Sequence, residues 1–233
     1  KHGDTFVVTD SFGDIGATEG GTDGLYHADT RFLSQLELSL NGQQPLLLGS
    51  NVRDDNTLLA VDLTNPDYYV GEQIALEKDI VHIARSIFLW NSTAYQRLAI
   101  RNHSDRPLTL QIALSFDSDF ADLFEVRGLQ RPRRGTVSRS VEAPDRVLLS
   151  YLGLDNVTRR TQLSFDPAPN DISTGKVSYR IVLAPGESKP IFLAVTCNAE
   201  CTHRPAPFLR GLLAAHRELR AQTRDIATVE TSN

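Results

Sequence analysis

From Leu108 to Phe116 the chain alternates without a break: Leu108, Leu110, Ile112, Leu114 and Phe116 are separated by Thr109, Gln111, Ala113 and Ser115. A period of two puts the five large side chains on one face of a strand, whereas a helix would scatter them around its axis. Such a face has to be covered, so the rest of the chain must supply a second apolar surface. It does so repeatedly. Val81, Ile83, Ile87 and Leu89 share one face of an earlier strand, Leu36, Leu38 and Leu40 share another, and Tyr95 to Ile100 makes a third strand before the long one. Further strands are expected at Thr5 to Thr9, Leu58 to Leu63, Val137 to Val141, Arg146 to Leu152, Thr158 to Phe165, Lys176 to Leu183 and Lys189 to Thr196.

The connections are short and rich in turn formers. Asn41-Gly42 predicts a hairpin into Pro45 to Leu48, and Asn102-His103-Ser104-Asp105-Arg106-Pro107 joins the third strand to its successor. Parallel neighbours would need crossovers of a dozen residues or more, so the spacing predicts an antiparallel meander. With this many half-buried faces in 233 residues, the economical all-β architecture is a two-layer antiparallel β-sandwich. Pro205 and Pro207 then introduce the one strong helical pattern, about Pro207 to Gln222, in which Phe208, Leu209, Leu212, Leu213, His216 and Leu219 recur at helical spacing. This gives a sandwich over 1–203 and a helix with linker over 204–233, the form of an inter-domain connector.

A net charge of -5 without a basic face argues against nucleic acid as a partner. No run of eighteen apolar residues and no signal-like start point to a membrane or to secretion, so a cytoplasmic location is expected. Cys197, Cys201 and His203 are spaced as Cys-x3-Cys-x-His, but a structural zinc wants four ligands, and two free thiols explain the pattern more simply.

Polar chemistry is concentrated in two places. In Gly24 to Ser34 the trio Asp29, Thr30 and Arg31 sits where a glycine-rich loop, Gly16 to Gly24, enters the sheet; that loop lacks the Lys-Ser/Thr of a phosphate-binding loop. After the long strand, Asp117, Asp119, Asp122 and Glu125 crowd one loop, followed by Arg127, Arg131, Arg133 and Arg134. Paired carboxylates are the apparatus of glycoside hydrolysis. Asp-x-Asp also opens calcium loops, although the glycine and terminal glutamate of an EF-hand are out of place. A third reading is electrostatic, with the arginines neutralising the acidic stretch or clamping a partner's carboxylates. Trp90 and Tyr151 could stack on a sugar ring, but Trp90 ends an apolar alternation and is expected in the core.

Gly24-Leu25-Tyr26 followed by Asp29-Thr30-Arg31-Phe32-Leu33-Ser34, a Leu-rich strand and Asn41-Gly42 resembles the N-terminal domain of bacterial-type glycogen debranching enzymes, the amylo-α-1,6-glucosidase relatives. Asp117 with Asp119 to Gly128 is similar to that family's loop after the meander, and Leu98 to Pro107 follows its pattern of a strand closed by Asn-x-Ser-Asp-Arg-Pro. Ala28 departs from it, standing where the family carries a bulkier, often basic residue. The resemblance implies a β-sandwich placed before an (α/α)6 barrel that holds the acid and base carboxylates. It therefore implies no catalytic residue, metal or cofactor in this chain. The implied partners are the C-terminal catalytic domain of the same polypeptide and, through the parent enzyme, a glycogen-like α-glucan. The helix would link sandwich to barrel, and Asp29, Arg31, Asp119, Asp122 and Arg127 would form the interface or substrate rim. A freestanding carbohydrate-binding module and an assembly domain are the alternatives.

Overall fold

The computed structural model describes residues 1–16, 21–53, 57–199 and 205–223. Its elements, in chain order, are β1 (Thr5–Val8), β2 (Gly24–His27), β3 (Thr30–Leu33), β4 (Gln35–Leu40), β5 (Leu46–Val52), β6 (Leu59–Thr64), β7 (Tyr68–Val70), β8 (Gln73–Leu76), β9 (Val81–Trp90), β10 (Thr93–Asn102) and β11 (Leu108–Asp117). There follow α1 (Leu123–Val126), β12 (Thr136–Ala143), β13 (Arg146–Leu152), β14 (Thr158–Asp166), β15 (Asp171–Ile172), β16 (Lys176–Leu183), β17 (Ser188–Cys197) and α2 (Phe208–Thr223).

The chain is a two-layer antiparallel β-sandwich, as the alternation predicts. One layer has eight strands in the order β12-β13-β14-β17-β10-β9-β6-β5; the other has four, β15-β16-β11-β4, with the small sheet β1-β2-β3 beside it and a separate β7-β8 hairpin. Ile83, Leu98, Leu163 and Leu193 from the larger layer join Leu38, Ile112, Leu114 and Val177 from the smaller one in a single core, each at most 2% exposed. β12, β13 and β14 form a true meander.

Two of the predicted connections are corrected. Asn41-Gly42 makes a tight turn, with φ of 50° and 81°, but the flanking strands do not pair: β4 lies on β11 and β5 on β6. A sandwich needs both layers supplied, and this turn carries the chain from one to the other. Its Asn41 Oδ1 accepts from the Gln111 amide at 2.8 Å, which ties the turn to β11 instead. Likewise β10 and β11 are consecutive yet lie in opposite layers. The buried Asn102 side chain makes that arch by donating to the Arg106, Leu183 and Ala184 carbonyls at 2.8, 3.2 and 3.2 Å, so one amide knits two layer-crossing connections together.

On β9 the expected apolar residues Val81, Ile83, Ile87 and Leu89 are all buried, with one charged companion. The strand's inner face is not apolar throughout: Arg85 occupies the position between Ile83 and Ile87 and is 1% exposed. Its Nη1 meets Asp14 Oδ1 at 2.5 Å and the Phe12 carbonyl at 3.0 Å, while Nε and Nη2 donate to Gln96 Oε1. Asp14 Oδ1 also accepts from the Leu38 amide at 3.1 Å, so the pair bridges the two layers. Burial pushes the Asp14 carboxyl above its usual range, and the adjacent guanidinium offsets only part of that rise.

Helix α2 lies on the outer face of the larger layer, where Phe208, Leu212 and Ala215 cover Phe88, Tyr95 and Ala194. Only part of the predicted stripe is used, because Leu209 and Leu213 remain 68% and 58% exposed. Trp90 is half-buried under this helix rather than in the main core, and its indole N–H donates to Glu218 at 3.1 Å.

Candidate functional site

The two polar stretches meet at one end of the sandwich. Ala28 and Asp29 form a two-residue turn between β2 and β3, both with positive φ (43° and 62°), so this segment is a hairpin tip and not the loop-to-strand entry expected from sequence. That tip is zipped onto the acidic segment by backbone bonds: Arg31 N–H to the Ala121 carbonyl at 2.8 Å and Leu123 N–H to the Asp29 carbonyl at 3.1 Å. The Arg31 side chain then spans both stretches. Nε and Nη2 hold the two oxygens of Asp119 at 3.2 and 2.5 Å, and Nη1 reaches the Gly21 and Asp23 carbonyls at 2.9 and 3.2 Å. Gly24 has to be glycine here, since a Cβ would lie 2.6 Å from Arg31 Cδ.

Each carboxylate of the acidic segment is engaged within the domain. Asp117 takes the fork of Arg139 at 2.8 to 3.0 Å. Asp122 caps α1, accepting from the Phe124 and Glu125 amides at 2.9 Å each, while Glu125 returns the bond to the Asp122 amide at 3.1 Å. Arg131 reaches the other oxygen of Asp122, and Arg134 sits 3.2 Å from Glu125. Behind them Phe120, forced to a φ of 50°, stacks on Tyr151 with ring centroids 5.7 Å apart, and the Arg134 guanidinium lies over the same Tyr151 ring. Tyr151 is thus a structural support for the loop rather than a platform for sugar.

Of the five predicted site residues, Arg31, Asp119 and Asp122 are brought into one network. Asp29 contributes its backbone, and its exposed side chain stands at the hairpin tip. Arg127 ends α1 through its own backbone N–H, and its exposed guanidinium, like that of Arg133, forms no hydrogen bond or ion pair among the described residues. The neutralising reading therefore holds for Arg131 and Arg134 but not for Arg127 and Arg133. Sequence reasoning missed Arg139, which lies on the far side of the basic loop, and it missed α1. The signal for α1 was present: Asp122-x-x-Glu125 is a capping box.

This chemistry does not suit acid catalysis. A general acid of a glycosidase needs a raised pKa. Partial burial works in that direction at Asp122, but the Glu125 and Phe124 amides and the Arg131 guanidinium outweigh it and hold the carboxyl below the usual aspartate range. A cleft of about 690 Å³ lies elsewhere, between β1, β5, β9 and α2. Of its acidic residues, Asp10 accepts the Phe12 and Asp14 amides, and Glu218 accepts from the Trp90 indole with His2 Nε2 3.2 Å away. Among the described residues no three His, Cys, Asp or Glu side chains converge as metal ligands. Cys197 is free and buried, and burial pushes its thiol well up; Cys201 and His203 lie outside the described residues. No helix among the described residues is long and apolar enough to cross a membrane.

A family model for the N-terminal domain of some glycogen debranching enzymes matches residues 1–194. No curated protein sequence matches the chain. Among solved structures, a candidate kojibiose phosphorylase from the human microbiome superposes with a TM-score of 0.50 at 13% identity, over 95% of this chain and 29% of that one. A candidate aldose 1-epimerase from Escherichia coli K12 does so with a TM-score of 0.46 at 9% identity, over 84% of this chain and 97% of that one. At these identities the first likeness speaks to fold alone. The chain spans under a third of the length of that first structure.

Proposed function

We propose, from the premise that the chain belongs to the family of N-terminal domains of glycogen debranching enzymes, that it is a non-catalytic platform for the glycoside-hydrolase domain of the same polypeptide. On this reading residues 1–203 form the platform and 204–233 the connector. The parent enzyme is a cytoplasmic amylo-α-1,6-glucosidase acting on glycogen-like branches, and Asp29, Arg31, Asp119, Asp122 and Arg127 line the rim turned toward the catalytic domain. One observation carries the proposal: Asp117, Asp119, Asp122 and Glu125 are all engaged by arginines or amides of this domain, so the acidic loop is spent on internal contacts. The alternative of a freestanding carbohydrate-binding module is weakened by the placement of Trp90 under α2 and of Tyr151 against Phe120.

Two isosteric substitutions in the full-length parent test it. Asn at an N-cap and Gln at the third helical position preserve a capping box, so Asp122→Asn and Glu125→Gln remove ionisation while keeping the turn. Each variant is expected to retain kcat on a limit dextrin to within about threefold, as exposed ion pairs contribute little. General acid–base groups contribute roughly a hundredfold or more, so a loss of that size in either variant assigns the chemistry to this loop and contradicts the proposal.

A further inference from the structure

The acidic segment is neutralised, yet the same end of the sandwich carries large apolar side chains in water: Phe124 is 66% exposed, Leu129 55%, Leu154 65% and Val157 51%. The segments that carry them meet at this end, where Phe120 stacks on Tyr151. The Leu129 amide bonds to the Phe124 carbonyl at 2.9 Å. The segment leading into β12 lies against the end of β13, where Gly135 N–H bonds to the Tyr151 hydroxyl at 2.9 Å and Thr136 pairs with Leu152. Arg159 pairs with Asp155 across the β13–β14 turn. Arg127 and Arg133, whose guanidiniums have no partner among the described residues, belong to the same loop segment. Exposed apolar side chains at one end of the sandwich, with unspent cations on the same loop segment, are the composition of an interface.

From this patch we infer the docking face for the domain that follows in the same polypeptide: Phe124, Leu129, Leu154 and Val157 supply the anchor, and Arg127 and Arg133 meet acidic side chains around an apolar patch on the partner. The inference rests on the platform reading and locates its contact. Chain direction selects this occupant. Helix α2 starts beside Asp145 and Asp166 at the opposite end and reaches Trp90 through Glu218. Trp90 pairs with Thr93 and Thr93 with Thr196, next to the pair formed by Cys197 and Thr161, and the Thr161 hydroxyl donates to the Phe32 carbonyl. Helix α2 therefore runs toward the end of the sandwich that bears the patch. Charge agrees, since the cations left over are the feature a partner's carboxylates would complete.

The double variant Phe124→Asp, Leu154→Asp tests this in the full-length polypeptide and in the 233-residue chain. Both side chains are exposed, and an acidic residue in the first turn of α1 suits the helix dipole, so the short chain should melt unchanged. In the full-length polypeptide the variant is expected to separate one unfolding transition into two and to speed cleavage at the connector about tenfold or more in limited proteolysis. A single, unshifted transition with unaltered cleavage overturns the docking face while leaving the platform reading intact. Glucose release by the short chain would overturn the platform reading itself. If the short chain proves dimeric by light scattering and the variant makes it monomeric, the occupant is a second copy and the inference fails.

Discussion

Replacing Arg85 by alanine is expected to lower the melting temperature by roughly 6 to 20 °C, the largest single-residue effect outside the apolar core. Removing one member of a buried pair costs about 3–5 kcal/mol because the other charge is left without a partner, and for a chain of this size 1 kcal/mol shifts the midpoint by about 2–4 °C. Here the cost falls on both layers at once. Without the guanidinium, Asp14 keeps the Leu38 amide but loses its counter-charge, and Gln96 Oε1 and the Phe12 carbonyl lose their donors. Asp14→Ala should fall in the same range, by leaving the arginine charged and dry. Replacing both, as Asp14→Ala with Arg85→Ala, should cost clearly less than the two single losses added, since neither charge is then left buried without its partner. Thermal unfolding of the four proteins checks the cycle; strict additivity would mean that the two groups are not the coupled pin between the layers.

Arg31→Lys is expected to cost about 2 kcal/mol, or roughly 4–8 °C, although it preserves the charge. An ammonium cannot reproduce a planar fork that holds both oxygens of Asp119 while also serving the Gly21 and Asp23 carbonyls. The consequence should be local as well as global. Ala121 N–H bonds to Asp119 at 3.1 Å and Arg31 N–H to the Ala121 carbonyl, so hydrogen exchange at these amides should accelerate more than at the core amides of β11. Unchanged stability and unchanged exchange would show that the backbone zipper alone holds the rim. The same substitution at Arg127, whose guanidinium has no partner among the described residues, should leave the stability of the 233-residue chain within about 0.5 kcal/mol.

Alternation made the strands and the sandwich legible in the sequence, because burying one face of a strand imposes a period of two whatever its neighbours do. It could not assign strands to layers. Asn41-Gly42 and Asn102 to Pro107 carry the composition of hairpin turns, yet both cross between sheets, a choice made by distant partners such as Gln111 and the Leu183 carbonyl. Arg85 was visible as a charge at an inward position, but its counter-ion lies 71 residues away and no local pattern points to it. At the rim, the clustering of Asp119 and Asp122 with downstream arginines was readable, and so, from its capping box, was α1. The pairing of Arg31 with Asp119 joins residues 88 positions apart and needs the fold. Helix α2 was found at its observed place within a residue at each end. Which of its apolar residues face the sheet depends on where Phe88 and Tyr95 present their rings, so Leu209 and Leu213 were read with the wrong company.

Glucose release from a limit dextrin, measured side by side for the purified 233-residue chain and the full-length parent at equal molarity, bears most directly on the whole account. With its loop carboxylates spent on arginines and amides, the short chain should release nothing above the no-enzyme blank while the parent turns over. Sustained release by the short chain, abolished by Asp119→Asn or Glu125→Gln, would contradict it.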